Sequence, residues 1–193
     1  MKQKSIFVAA AVFLVLVFGL GAVYYQNQKT EKAAQTAKEN AVALVRAHSP
    51  NFGNISAPVH IVEFLDPACG TCRDFYPRVK QLMAAHPGKI RMSVRYAPFH
   101  TGSDQVVRVM EAARNQGLFK ETLEALLASQ EQWVLNHTAQ LDLIWPSLER
   151  VGLDISRLKA DMVRPEIAQL IQQDLVDANT LNVTMTPEFF VNG

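Results

Sequence analysis

A strand-like apolar run, Val59 to Leu65, leads within a few residues to Cys69-Gly70-Thr71-Cys72, and from Cys69 to Ala85 the apolar residues recur at helical spacing. A second strand fits Ile90 to Tyr96. Together they predict a strand, helix, strand unit with two cysteines at the helix start. Pro77, which lacks a backbone donor, predicts a kink in that helix. A helix N-terminus presents unpaired N–H groups and partial positive charge, the setting in which a thiol ionises readily. Cys69 is therefore expected to be the exposed, thiolate-forming partner. Cys72, one turn later on the same face, is expected to be more buried and within reach of a disulfide.

The chain has 193 residues and 2 cysteines, and a bond between neighbours three positions apart closes too small a loop to restrain the unfolded chain much. A domain of this size buries a core without staples, so a purely structural disulfide is the weaker reading. Zinc needs more ligands, yet there is no second cysteine pair, and His48, His60, His86, His100 and His137 show no clustered spacing. A net charge of +1 gives no broad attraction for nucleic acid or acidic lipid. No metal or separate cofactor is expected; the redox group is the Cys69–Cys72 pair itself.

Glu63 stands inside Ile61-Val62-Glu63-Phe64-Leu65, where an ionised carboxylate is costly to bury. Burial raises its pKa, and a carboxyl beneath the dithiol could move a proton to or from Cys72. The alternative puts Glu63 on a solvated strand face. Asp66, Arg73 and Asp74 are expected to be solvated or capping groups.

From Ile6 to Tyr25 there is no charged residue. At about 1.5 Å per residue this run spans a bilayer core as an uncleaved helix, with Tyr24 and Tyr25 at the interface. The rival is a cleaved signal peptide with its apolar core from Ile6 to Phe18 and with Gly19 and Gly21 near the cut. Either sends the chain to a translocase, so the rest is expected to work outside the cytoplasm. A polar, alanine-rich helical spacer runs from Gln26 to about His48, before Ser49, Pro50, Asn51, Gly53 and Asn54 break it. After Tyr96 comes a long helical stretch without strand signals, then a helix opening at Pro165. Thr186-Pro187 leads into a short strand, Glu188 to Val191, and Asn192-Gly193 is a hairpin-turn signal.

Three stretches resemble DsbA-like proteins of bacterial envelopes: Glu63 through Cys72, Arg95-Tyr96-Ala97-Pro98-Phe99-His100, and Thr186 through Gly193. The resemblance covers roughly Ser56 to Gly193. It implies an α/β, thioredoxin-like fold with an inserted α-helical domain, preceded here by the N-terminal transmembrane helix. The expected organisation is an anchor over 1–25, a spacer over 26–54, a discontinuous thioredoxin-like domain over 55–101 and 165–193, and a helical insertion over 102–164. By the same resemblance Cys69 is the nucleophile, Cys72 its buried partner, Glu63 an acidic proton relay, and Pro187 a cis-proline facing the dithiol. Thr186 and Pro187 would then pair with an extended substrate peptide; taken alone, Pro187 reads as an ordinary trans turn proline, and beside this motif the cis form is expected.

The implied activity is thiol-disulfide exchange that introduces disulfides into cysteine-containing, translocated envelope proteins through the Cys69–Cys72 pair. A membrane reoxidant of the DsbB type, or one like vitamin K epoxide reductase, would serve a single-pass inner-membrane protein with its catalytic domain in the periplasm. Within the same class the alternative is a reductase or isomerase kept reduced by a membrane donor; outside it, an anchored redox sensor or binding module. Two departures qualify the resemblance. Gly70-Thr71 stands where the DsbA type member carries proline and histidine, and Thr71 offers no positive charge, so a less oxidising dithiol is expected. Family members also continue into another strand and a C-terminal helix, so the sequence is expected to be truncated at Gly193.

Overall fold

Alternation along Val59–Leu65 decides how the sheet is covered, because successive side chains of a strand point to opposite faces. The computed structural model describes the backbone of residues 2–193 and the side chains of residues 13–193. Helix α1 is Lys2–Leu44, followed by strands β1 (Asn51–Phe52) and β2 (Val59–Leu65), helix α2 (Gly70–Ala85) and strand β3 (Ile90–Tyr96). Helices α3 (Ser103–Arg114), α4 (Phe119–Ala128) and α5 (Gln130–Trp133) come next, then a small hairpin of β4 (Val134–Leu135) and β5 (Thr138–Ala139). A 3-10 turn at Leu141–Leu143, α6 (Trp145–Leu148), α7 (Ile155–Met162), α8 (Pro165–Thr180) and β6 (Glu188–Val191) complete the order.

The main sheet runs β1-β3-β2-β6, with β2 parallel to β3 and antiparallel to β6. Ile61 and Leu65 of β2 join Met92, Val94 and Tyr96 of β3 in a core that also holds Cys72, Tyr76 and Val79 of α2. The same core takes Leu123, Leu126, Trp133, Ile144, Leu148 and Leu158, so the helices after β3 share one interior with the sheet. On the opposite face Val62 and Phe64 pack with Leu44, Ala178 and Val183. There the fully buried Arg95 lies over the Phe64 ring, 5.3 Å from its centroid. It donates to Asp174 at 2.9 and 2.7 Å and to Asp177 at 2.6 Å, while Arg46 pairs with Asp177 at 2.6 Å. The cluster ties β3, α8 and the chain leaving α1 together. Residues 43–192 form one compact unit; residues 1–42 and Gly193 group apart from it.

Several expectations change. The apolar run and the spacer form one continuous helix that stops at Leu44, short of His48. Among the described residues no helix is long and apolar enough to cross a membrane. Ile6 to Val12 of the expected span lie outside the residues whose side chains are described. The spacer does not extend to residue 54, because Asn51 and Phe52 pair with Ser93 and Met92 as β1. The stretch expected to lack strands contains β4 and β5, joined by Asn136 and His137 in the left-handed region at φ 50° and 60°. That is the backbone a two-residue hairpin loop requires, here supplied without glycine. Pro77 lies inside α2 without ending it.

Candidate functional site: a dithiol at the start of α2

Cys69 is the N-cap of α2, and its N–H donates to the Asp66 carbonyl at 3.0 Å. It was expected to be exposed. The structure leaves Cys69 only 6% exposed and Cys72 fully buried. Cover comes from the loop before β6, where Thr186-Pro187 is a cis peptide and the Cys69 thiol donates to the Thr186 carbonyl at 3.2 Å. Both cysteines are free thiols.

A hydrogen bond from the Cys72 thiol favours ionised Cys69; burial opposes it, and the Thr186 side chain and the N–H groups of Cys72 and Thr71 add support. The balance brings the Cys69 pKa down from 9.0 to about 5. The Thr186 carbonyl works the other way, since it accepts a proton from the thiol but repels the thiolate, and it is outweighed. Cys72 moves in the opposite direction: its bond to Cys69, then burial, push its thiol far above the usual range. Gly70 and Thr71 are exposed, and it is the backbone N–H of Thr71, not its hydroxyl, that supports Cys69.

Glu63 is fully buried, paired in register with Val94 and Phe189. It shares the face of β2 that bears Ile61 and Leu65, beneath α2, so the solvated-face alternative does not hold. Neither carboxyl oxygen has a hydrogen-bond partner within the described protein. Burial and the neighbouring Cys69 raise its pKa from 4.5 to about 8.

Asp66 is a correction of another kind. Expected to be solvated or capping, it is fully buried and gathers the loop around itself. Its carboxylate accepts from Ala68 N at 2.9 Å, from His100 N at 2.8 Å, from His100 Nδ1 at 2.7 Å and from the Ser103 hydroxyl. A charged acceptor with these donors predicts a clear cost on replacement. Asp66→Asn is expected to lower unfolding free energy by about 2 to 3 kcal/mol, because one amide N–H₂ then faces donors. Urea unfolding of parent and variant checks it; an unchanged midpoint would make Asp66 a spectator.

Sequence reasoning also missed Gln130 of α5. It is 3% exposed, and its Nε2 reaches the carbonyls of Pro67 at 2.8 Å and Cys69 at 3.0 Å. No local pattern marks it, since its partners lie 63 and 61 residues away. Asp66 did leave a signal: an acidic residue at the end of a buried strand, just before Pro67 and the cysteines. Among the described residues no group of three or more His, Cys, Asp or Glu side chains is placed to hold a metal.

A thiol pair at the N-terminus of the helix after a central strand, faced by a cis-proline loop, defines a thioredoxin-like dithiol site. The thioredoxin family model matches residues 45–193, and the chain belongs to that family. Its structural neighbours are DsbA-like. A thioredoxin-like oxidoreductase from Silicibacter pomeroyi superposes with a TM-score of 0.67 at 32% identity, covering 76% of this chain and 81% of that one. The thiol-disulfide exchange protein alpha-DsbA2 of Wolbachia pipientis shares the fold with a TM-score of 0.68 at 21% identity, covering 82% and 87%. Among sequences, the probable disulfide bond formation protein D of Bacillus anthracis is 23% identical over 203 residues, covering 100% of this chain and 88% of that protein. A Na(+)/H(+) antiporter NhaA of Herminiimonas arsenicoxydans is 29% identical over 141 residues, 73% of this chain. The chain spans 22% of that antiporter's length, so the likeness concerns one portion of it.

Proposed function

We propose that this chain is a thiol-disulfide oxidoreductase that introduces disulfides into translocated proteins of the bacterial envelope. The observation that carries the reading is the Cys69 sulfur, set at the start of α2 among donors that bring its pKa down to about 5. A pair whose reduced form is held as a stable thiolate accepts electrons readily and so acts as an oxidant. The name of the Bacillus anthracis relative points the same way.

In the oxidised pair, a substrate thiolate attacks Cys69 Sγ. A mixed disulfide forms, the Cys69–Cys72 bond breaks, and Cys72 leaves with the electron pair. Its strongly raised pKa means that the departing sulfur takes up a proton, and Glu63, protonated at neutral pH, is the buried acid able to give one. The substrate's second thiolate then attacks its own bonded sulfur, closing the substrate disulfide and releasing Cys69 as thiolate. Two electrons pass from substrate to the pair. Thr186 and Pro187 line the entry to Cys69, where an extended peptide could lie along the backbone. Reoxidation is assigned to a membrane quinone-linked partner of the DsbB type or one like vitamin K epoxide reductase.

Anchoring belongs to the same proposal. From Phe13 to Tyr25 the helix is exposed all round, with Phe18 at 80% and Leu20 at 71%, a surface that suits lipid better than water. The catalytic domain would then stand in the periplasm beside its reoxidant.

Oxidised full-length protein, mixed with a fluorescent peptide carrying two thiols, is expected to form one peptide disulfide per molecule without added oxidant. Cys69→Ser should form none. Alkylation of the reduced parent should rise with a midpoint near pH 5, Cys69 ahead of Cys72. If the reduced protein instead opens a peptide disulfide more readily than the oxidised form makes one, the protein is a reductase.

A further inference from the structure

The loop that presents Cys69 is held from outside the thioredoxin-like half of the fold. Pro67 has no N–H, and the N–H groups of Ala68 and Cys69 are taken by the carboxylate and carbonyl of Asp66. What remains are carbonyls, which can only accept, and two of them, those of Pro67 and Cys69, meet one side chain. Gln130 Nε2 donates to both, one hydrogen to Pro67 at 2.8 Å and the other to Cys69 at 3.0 Å, where Arg73 N also donates at 3.2 Å. This fixes the amide's orientation, because Oε1 in that place would face two acceptors. Oε1 instead looks toward Gly70, 3.9 Å from where a Cβ on that glycine would stand.

Resting on the oxidoreductase reading, we infer that Gln130 is a positioning residue through which the helical insertion sets the oxidising strength of the Cys69–Cys72 pair. The physical link is peptide-plane orientation. A thiolate at a helix start is stabilised only while the following N–H groups converge on it, and those of Thr71 and Cys72 are the ones that do so here. With Pro67 and Cys69 carbonyls anchored by a 3% exposed amide, the turn before those N–H groups is held in place. Without the amide, Pro67 loses that partner in a buried place and the turn relaxes toward water or another donor. The insertion thus grips the loop at two points, through Gln130 and, by way of Asp66, through Ser103 at the start of α3.

The test compares Gln130→Met, which keeps length and volume but removes both donors, with Gln130→Ala, which also removes packing. Leu126→Ala, a core cavity in α4, is the control for plain destabilisation. Each full-length protein is equilibrated in glutathione buffers, and the dithiol fraction is read by alkylation. Both Gln130 variants are expected to hold electrons about tenfold less well than the parent, a shift of about 30 mV for two electrons, with the Cys69 alkylation midpoint moved upward. Leu126→Ala should lower the unfolding midpoint and leave the redox equilibrium alone. A parental equilibrium and pH profile in Gln130→Met would overturn the inference, as would an equal shift in Leu126→Ala. Should Gln130→Met fail to fold, Gln130→Ala decides by the same readings. A parent that does not equilibrate with glutathione at all would instead sink the oxidoreductase reading and this inference with it.

Discussion

Replacing Cys72 with serine is expected to leave Cys69 able to capture a substrate sulfur and yet cut turnover by at least about a thousandfold, since residues acting as one unit fail together. Without Cys72 no internal disulfide can form, so the protein has no pair to take two electrons from a dithiol substrate; Cys69 can still attack a substrate disulfide, and with no Cys72 to release the reduced substrate, covalent, thiol-reducible complexes should accumulate. The first cause of Cys69's low pKa is the hydrogen bond from Cys72. Serine keeps a donor there and alanine does not. The alkylation midpoint of Cys69 should therefore move further upward in Cys72→Ala than in Cys72→Ser. Peptide-oxidation rates, mass spectrometry of trapped complexes and pH-dependent alkylation would show this together. Sustained turnover in Cys72→Ser, or a parental alkylation profile in Cys72→Ala, would refute the division of roles.

Glu63→Gln is expected to separate stability from rate. The folded carboxyl has a pKa of about 8 against an ordinary 4.5. Between those values the native state holds a proton that the unfolded chain has released, so stability falls as pH rises across the window. The contribution is fully present below about pH 4.5 and lost once pH passes about 8. A shift of this size corresponds to at most about 5 kcal/mol, since each unit is worth about 1.4 kcal/mol. Glutamine carries no such penalty. The variant should match the parent near pH 4 and exceed it by several kcal/mol near pH 9, while disulfide exchange slows about a hundredfold for want of a proton donor to Cys72. Urea unfolding at the two pH values and stopped-flow exchange supply the measurements. Parallel stability profiles would mean that Glu63 is not held neutral by burial, and unchanged exchange rates would reduce it to a structural residue.

The dithiol's setting was legible because it is local. Val59–Leu65 announces a strand by composition, Cys69 to Ala85 a helix by period, and the two adjoin, so a cysteine pair at a helix start follows without knowledge of the rest. Glu63 was legible for a similar reason: apolar neighbours on both sides of a strand residue leave few ways to keep it in water. The Thr186-Pro187 loop was placed opposite Cys69 through a family resemblance, and the structure sets the Thr186 carbonyl 3.2 Å from its sulfur. Spacing alone would have left Pro187 an ordinary turn residue.

The short strands were lost because two residues carry no period. Asn51–Phe52 becomes β1 only because Ser93 and Met92 of β3 stand beside it, and Val134–Leu135 pairs only once Asn136 and His137 have turned the chain. By itself, then, the sequence determined which segments are strand and helix around the cysteines and that the pair sits at a helix start, while the choice between a buried and a solvated Glu63 waited for the sheet to be covered. Tertiary structure alone decided that Cys69 is covered, that Asp66 is the hub of its loop, and that Gln130 clamps that loop from 61 residues away. The physical reason is that periodicity and propensity act within a turn or a strand, whereas burial and side-chain hydrogen bonds depend on which distant surfaces the chain brings together.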